Sequence, residues 1–160
     1  MTDDGPRVWR CPAQEVLLKG ELFEPLEELA AWQALLFSRE GGAPAAECQF
    51  IGRVRGSTTT GAPLEALELE HYPGMTETRL HEIATEGARR HGVEAVLLVH
   101  RVGRILPGEA IVLVAVAADR RGAAQRCCQE MLEALKHEAP FWKREWSGGH
   151  GTWLTGNTPL

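Results

Sequence analysis

From Pro25 onward the apolar positions recur every three or four residues. Leu26, Leu29, Ala30, Leu36 and Phe37 lie near helical spacing, and Pro25 suits a first helical turn. Residues 40–44, Glu-Gly-Gly-Ala-Pro, end that helix as a loop. An early strand is expected within residues 8–19. Residues 48–55 then alternate, with Phe50, Gly52 and Val54 on one face and Ile51, Arg53 and Arg55 on the other. A Gly- and Thr-rich turn at 56–63 leads to a strand over 64–71, where Leu64, Ala66, Leu67 and Leu69 divide between the faces. The short connection predicts a hairpin.

After the turn signal Tyr72-Pro73-Gly74, a helix is predicted over 76–91. Its apolar stripe is Leu80, Ile83, Ala84 and Ala88, and Gly92 is its C-cap. Ala95–Arg101 and Ala110–Ala118 are apolar on both faces and predict buried strands. Leu106-Pro107-Gly108-Glu109 turns the chain between them, consistent with antiparallel pairing. A last helix is expected over 122–138, with Cys127, Cys128, Met131, Leu132 and Leu135 inward and Lys136 on the flank of that stripe. The order of elements reads as α+β with a mainly antiparallel sheet. Residues 8–154 make one domain, between a loose tail at 1–7 and a short one at 155–160.

The chain has 160 residues, enough to bury a core without disulfides or metal. Its net charge of −5 argues against general nucleic-acid or anionic-membrane binding, so any basic site must be local. No apolar run reaches membrane-spanning length, and the acidic start lacks the features of a signal peptide, so a reducing cytoplasm is expected. Cys11, Cys48 and the adjacent Cys127-Cys128 fit that compartment and match no zinc module. Sulfur chemistry at Cys127 or Cys128 is conceivable, but small apolar residues on a helix face are the better reading.

Several chemistries lack their residues. There is no GxGxxG, no Walker loop and no GxSxG elbow. His81-Glu82 begins like a zinc-protease helix, yet position 85 is Thr85. The six histidines show no metal-ligand spacing, so neither metal nor cofactor is expected. What remains is cationic. Arg55 ends a strand before a flexible loop, and Arg120 and Arg121 lie between a buried strand and a helix. Lys136 and Lys143 bracket that helix's exit, around Pro140-Phe141-Trp142. Singly, each has a bland reading: a lysine near a helix C-terminus meets the dipole, worth ~0.3–1 kcal/mol. Facing one pocket, they hold a phosphorylated substrate, and neighbouring cations depress one another's pKa values.

These residues sit in segments that resemble the family of large, catalytic subunits of molybdopterin synthase. The segments are Phe50-Ile51-Gly52-Arg53-Val54-Arg55, Leu69-Glu70-His71-Tyr72-Pro73-Gly74-Met75, His100-Arg101-Val102-Gly103, Pro107-Gly108-Glu109, and Leu135-Lys136 through Pro140-Phe141-Trp142-Lys143-Arg144-Glu145. The likeness covers roughly two thirds of the chain, from about Gln49 to Trp153; the first 45 residues match only weakly. It implies an α/β hammerhead fold, a homodimer, and a small ubiquitin-like sulfur-carrier partner ending in a Gly-Gly thiocarboxylate. Two carriers bound to a dimer make a heterotetramer. The implied reaction places two sulfurs on cyclic pyranopterin monophosphate and opens the cyclic phosphate, giving dithiolene molybdopterin.

The resemblance assigns Lys136 and Lys143 as active-site lysines. Lys136 is expected to be the acid–base or nucleophilic group, and Lys143 to hold the thiocarboxylate and the developing anion. Arg55 matches a pocket arginine, and Arg121 the arginine of the family's usual His-Arg pair. Arg120 replaces that histidine. The chain also departs from the family after Arg144, where no Lys or Arg follows, and at Gln125, where an aromatic is common. A non-catalytic module binding a phosphorylated pterin or a carrier tail is the alternative function. A purely structural α+β domain is the third reading.

Overall fold

The two most apolar segments form the centre of the molecule because neither face of either can meet water. In the computed structural model, which describes residues 13–155, they are β4 (Ala95–Arg101) and β6 (Ala110–Ala118), paired antiparallel. The other elements are β1 (Ala13–Lys19), α1 (Pro25–Ser38), β2 (Ala46–Arg53), β3 (Ala66–His71), α2 (Met75–His91), β5 (Gly103–Ile105), α3 (Arg121–Glu138), β7 (Phe141–Ser147) and β8 (His150–Trp153). One sheet has the order β1-β4-β6-β2, and β1 runs parallel to β4 while the rest is antiparallel. A second sheet, β5-β3-β7-β8, is antiparallel throughout. The mixed α+β architecture expected from the sequence is therefore present, in two sheets rather than one.

Alternation along β4 and β6 makes the first sheet the middle of three layers. Val96, Leu98, Val114 and Val116 face α2 and α3, where they meet Leu80, Ile83, Cys127 and Met131. Ala95, Leu97, Val99, Leu113 and Ala115 face the other way, onto Leu29, Trp32 and Leu36 of α1. The α2 stripe is the one the sequence predicts, and Gly92 caps the helix in the left-handed conformation (φ 62°, ψ 37°). Gly108 supplies the positive φ of the turn into β6. Cys127 and Cys128 are buried, and desolvation pushes both thiols up to about 12. They are protonated packing groups at neutral pH, not nucleophiles. Cys11 lies outside the described residues. No described helix is long and apolar enough to cross a membrane.

Three expectations need correction. The hairpin joining residues 48–55 to 64–71 does not form: β2 pairs with β6, and β3 pairs with β5 and β7. The apolar β6 needs a partner on each edge, and β2 fills one of them. A register shift at Gly52/Arg53 then turns the chain out of the first sheet. The 56–63 segment instead closes a small turn of its own, through Thr58 N–H to the Ala62 carbonyl at 2.8 Å and a Ser57–Pro63 bridge. In α1, Leu26 and Phe37 are exposed, and Trp32 takes the inward place between Leu29 and Leu36. Finally, β5, β7 and β8 are strands that the pattern does not announce. The tails drawn at 1–7 and 155–160 fall outside the described residues, Thr155 excepted.

Candidate functional site

A cavity of about 580 Å³ opens where the end of β2, the 56–63 turn, the last turns of α3 and one face of β7 meet. Strand alternation sets its chemistry. Phe141, Lys143 and Glu145 of β7 point into it. Trp142, Arg144 and Trp146 take the opposite face. There Trp142 meets Tyr72 edge-on at 5.4 Å, and Arg144 lies over the Trp146 and Trp153 rings at 4.8 and 4.5 Å while pairing with Glu68 at 2.5 Å. These contacts on the far face fix the pleat and so aim Lys143 inward. The Leu154 N–H donating to the Lys143 carbonyl at 2.8 Å pins the same residue.

Lys136 reaches the cavity from the last turn of α3, one residue beyond the buried Leu135. The helix breaks before Pro140 and the chain reverses into β7, bringing both lysines to one space. Burial holds the Lys143 amine below the ordinary lysine range, and the positive charge of Lys136 adds to the effect. Arg55, exposed at the rim, lines the same cavity. The apolar remainder includes Phe50, Val54, Leu64, Ile111 and Leu132. An anion entering here meets cations against low-dielectric walls, where they act more strongly than in water.

The cavity of a single chain does not include Arg120 or Arg121. Arg120 is 89% exposed and stands 3.8 Å from Asp119. Arg121 is the exposed first residue of α3. Since α3 is a rod of 18 residues, ~27 Å long, its two ends serve opposite ends of the molecule. Sequence adjacency to a helix that carries Lys136 was therefore no guide to proximity.

Among the lining residues that the sequence reading did not single out are Arg53, Glu145 and His100. Arg53 also donates to the Gly108 carbonyl at 3.2 Å. Glu145 accepts from the Thr59 N–H and hydroxyl, each at 3.2 Å, and so ties the 56–63 turn to β7. His100 ends the run of apolar residues in β4 and was legible as a polar residue in an otherwise greasy strand. It is 7% exposed and stacks on Phe141 with ring centroids 4.3 Å apart. Its Nδ1–H donates to the Arg101 carbonyl at 2.8 Å.

Burial pushes the His100 imidazole down from 6.5 to about 4; the bond to Arg101 opposes the shift and the charge of Lys143 adds to it. Between those two pH values the unfolded chain binds a proton at His100 that the native state does not. Its contribution to stability is complete above about pH 6.5 and is lost as the pH falls toward 4, by about 3 kcal/mol. Denaturant titrations across that window should show this loss in the parent and a flatter profile in His100→Phe. Parallel profiles would contradict the assignment.

The family model described as MoaE protein matches residues 24–138, more than half of the chain. A Cereibacter sphaeroides protein named molybdopterin synthase catalytic subunit is 39% identical over 139 residues, covering 87% of this chain and 90% of that protein. A Ralstonia nicotianae protein of the same name is 43% identical over 109 residues, 68% of this chain but only 61% of that protein's length. Among solved structures, the molybdopterin biosynthesis MoaE protein from Burkholderia ambifaria superposes with a TM-score of 0.73 at 38% identity, covering 91% of each chain.

Proposed function

The chain belongs to the MoaE protein family, and from that premise we propose that it is the catalytic subunit of a cytoplasmic molybdopterin synthase. It converts cyclic pyranopterin monophosphate to the dithiolene molybdopterin, with sulfur from the C-terminal thiocarboxylate of a small carrier subunit. The observation that carries this reading is the pair of lysines on one cavity, with the Lys143 amine depressed by burial and by its neighbour. A peptide tail fits along the apolar wall, and the cations receive the phosphate and the thiocarboxylate. The first thiocarboxylate sulfur bonds to the ring-side carbon of the cyclic phosphate ester as that carbon's C–O bond breaks, the phosphate oxygen leaving and the cycle opening; the second bonds to the neighbouring carbon, whose oxygen leaves as water. Water then splits the acyl–sulfur bond, leaving sulfur on the pterin and a carboxylate on the carrier; a second carrier repeats the transfer.

The buried position of Lys143 supports giving it the proton-accepting role and Lys136 the anion-holding one, the reverse of the sequence expectation. Arg55 serves the phosphate from the rim. Arg120 and Arg121 enter this scheme through a second copy of the chain, whose α3 N-terminus completes the site in a homodimer. The test mixes the chain with thiocarboxylated carrier and cyclic pyranopterin monophosphate and looks for dithiolene product. Binding of both without turnover in the parent chain overturns the catalytic reading in favour of a binding module. Arg121→Ala is expected to weaken pterin binding about 10-fold to 100-fold, the worth of a charge-assisted hydrogen bond, with carrier affinity nearly unchanged. Unaltered pterin affinity removes Arg121 from the site.

A further inference from the structure

One wall of the cavity, the 56–63 turn, is closed on itself and sparsely attached to the rest of the chain. The Gly61 N–H returns to the Thr58 carbonyl at 3.0 Å, and the Ala62 N–H reaches the Thr58 hydroxyl at 3.1 Å. The base is tied by the Leu64 N–H to the Gly56 carbonyl at 3.0 Å and by the Ser147 hydroxyl to the Pro63 carbonyl at 2.7 Å. The tip is held differently. Among the described residues, every hydrogen bond that leaves residues 57–61 for another element ends on one side chain, Glu145. The Thr59 N–H approaches both carboxylate oxygens at 3.2 Å, and the Thr59 hydroxyl donates to one of them at 3.2 Å. No described lysine or arginine pairs with that carboxylate, although Lys143 stands two residues away on the same face of β7. Phe141, stacked on the buried His100, marks the inner end of the cavity. Glu145, holding the exposed Thr59, marks the rim, and Lys143 lies between them on the strand. A ligand that enters from the rim toward Lys143 passes the turn.

We propose that Glu145 is a positioning residue: by gripping Thr59 it straps the 56–63 turn across the rim of the cavity, and the strapped turn holds the carrier's C-terminal tail in line with Lys143. This deepens the proposed sulfur transfer and rests on it for the identity of the tail. Untethered, the tip of the turn samples many orientations, and ordering it when the tail arrives costs affinity. The contact to Glu145 orders it beforehand. The strap touches the tail and not the reacting atoms, so it strengthens binding of the tail without lowering the chemical barrier. The role needs an acceptor rather than a charge. A glutamine at 145 can accept from the Thr59 N–H through its oxygen and donate to the Thr59 hydroxyl through its amide.

The turn itself supplies a second way to cut the strap. The Gly61 N–H bond to the Thr58 carbonyl makes Thr59 the first central residue of a β-turn, and neither Thr59 nor Thr60 has positive φ. Proline is favoured at that position, so Thr59→Pro keeps the turn closed while deleting both donors to Glu145. Backbone ¹⁵N relaxation of the full chain tests the latch without any substrate. Order parameters at Thr58, Thr60 and Gly61 are expected near about 0.85 in the parent and below about 0.6 in Glu145→Ala and Thr59→Pro. Glu145→Gln should stay close to the parent. With thiocarboxylated carrier and cyclic pyranopterin monophosphate, Glu145→Ala and Thr59→Pro should each raise KM for the carrier about 10-fold, with kcat within about twofold. Glu145→Gln should recover most of that affinity. Unchanged order parameters in both strap-cutting variants would overturn the latch. A parental carrier KM beside a mobile turn would overturn its role in holding the tail, as would a loss confined to kcat. If Glu145→Ala does not fold, Thr59→Pro decides the matter. If the parent makes no dithiolene, the functional reading fails while the relaxation data still decide whether Glu145 straps the turn.

Discussion

Lys136→Ala is expected to reduce dithiolene formation about 10³-fold while leaving folding and carrier binding close to those of the parent. The size follows from removing a preorganised cation from a cavity with largely apolar walls, an effect of about 10²–10³ in comparable sites. The side chain sits on the flank of α3, beyond Leu135, so its truncation opens no core cavity. A second consequence distinguishes the two lysines. The Lys136 charge helps hold the Lys143 amine down, so removing it lets that amine rise toward its ordinary range. The residual activity of Lys136→Ala should therefore have its acid limb displaced to higher pH. Lys143→Ala removes the limb itself, with a comparable loss of rate. Single-turnover rates measured from pH 6 to 10 would separate these cases. Parental turnover in Lys136→Ala would remove that residue from the mechanism, and an unshifted limb would break the coupling between the pair.

Leu98→Ala is expected to destabilise the fold by about 3–5 kcal/mol. Leu98 is fully buried in β4, beside Val114 on one neighbouring strand and Val16 on the other, and its side chain packs under α2 and α3. Because the surrounding side chains come from both helices and from three strands, no single element can move to fill the space. A domain of this size has about 5–15 kcal/mol in total, so the loss is a large part of it. Urea denaturation should show a lower midpoint with little change in slope. Leu26→Ala, on the exposed face of α1, should shift stability by about 0.5 kcal/mol or less. A loss below about 1 kcal/mol at Leu98 would mean that the layer contacts described here do not hold the sheet.

The places where sequence reading and coordinates part company share a cause. The α2 stripe and the buried β4 and β6 were legible because burial imposes a period on each segment by itself. The hairpin of residues 48–55 with 64–71 failed because pairing is a contest between strands. β6, apolar on both faces, outcompetes β3 for β2. In α1 the period admitted two neighbouring stripes, and the indole of Trp32 settled the rotation by entering the layer beneath the sheet. The strand β7 is dense in charge and aromatics, and its alternation makes sense only once the cavity on one side and the Trp142–Tyr72 contact on the other are known.

Residue types and their order fixed the buried strands, the helices that cover them, and the presence of two lysines around a helix-ending proline. The family follows from the same string. Which cations share a space was decided by the fold alone. Lys136 and Lys143 meet because the chain reverses at Pro140, whereas Arg121 stays some fifteen residues of rigid helix away from Lys136, on the order of 22 Å. The pKa of Lys143 and the tautomer of His100 were likewise absent from the sequence. Both depend on desolvation and on the placement of a charge and a carbonyl, quantities that exist only when distant segments are packed together.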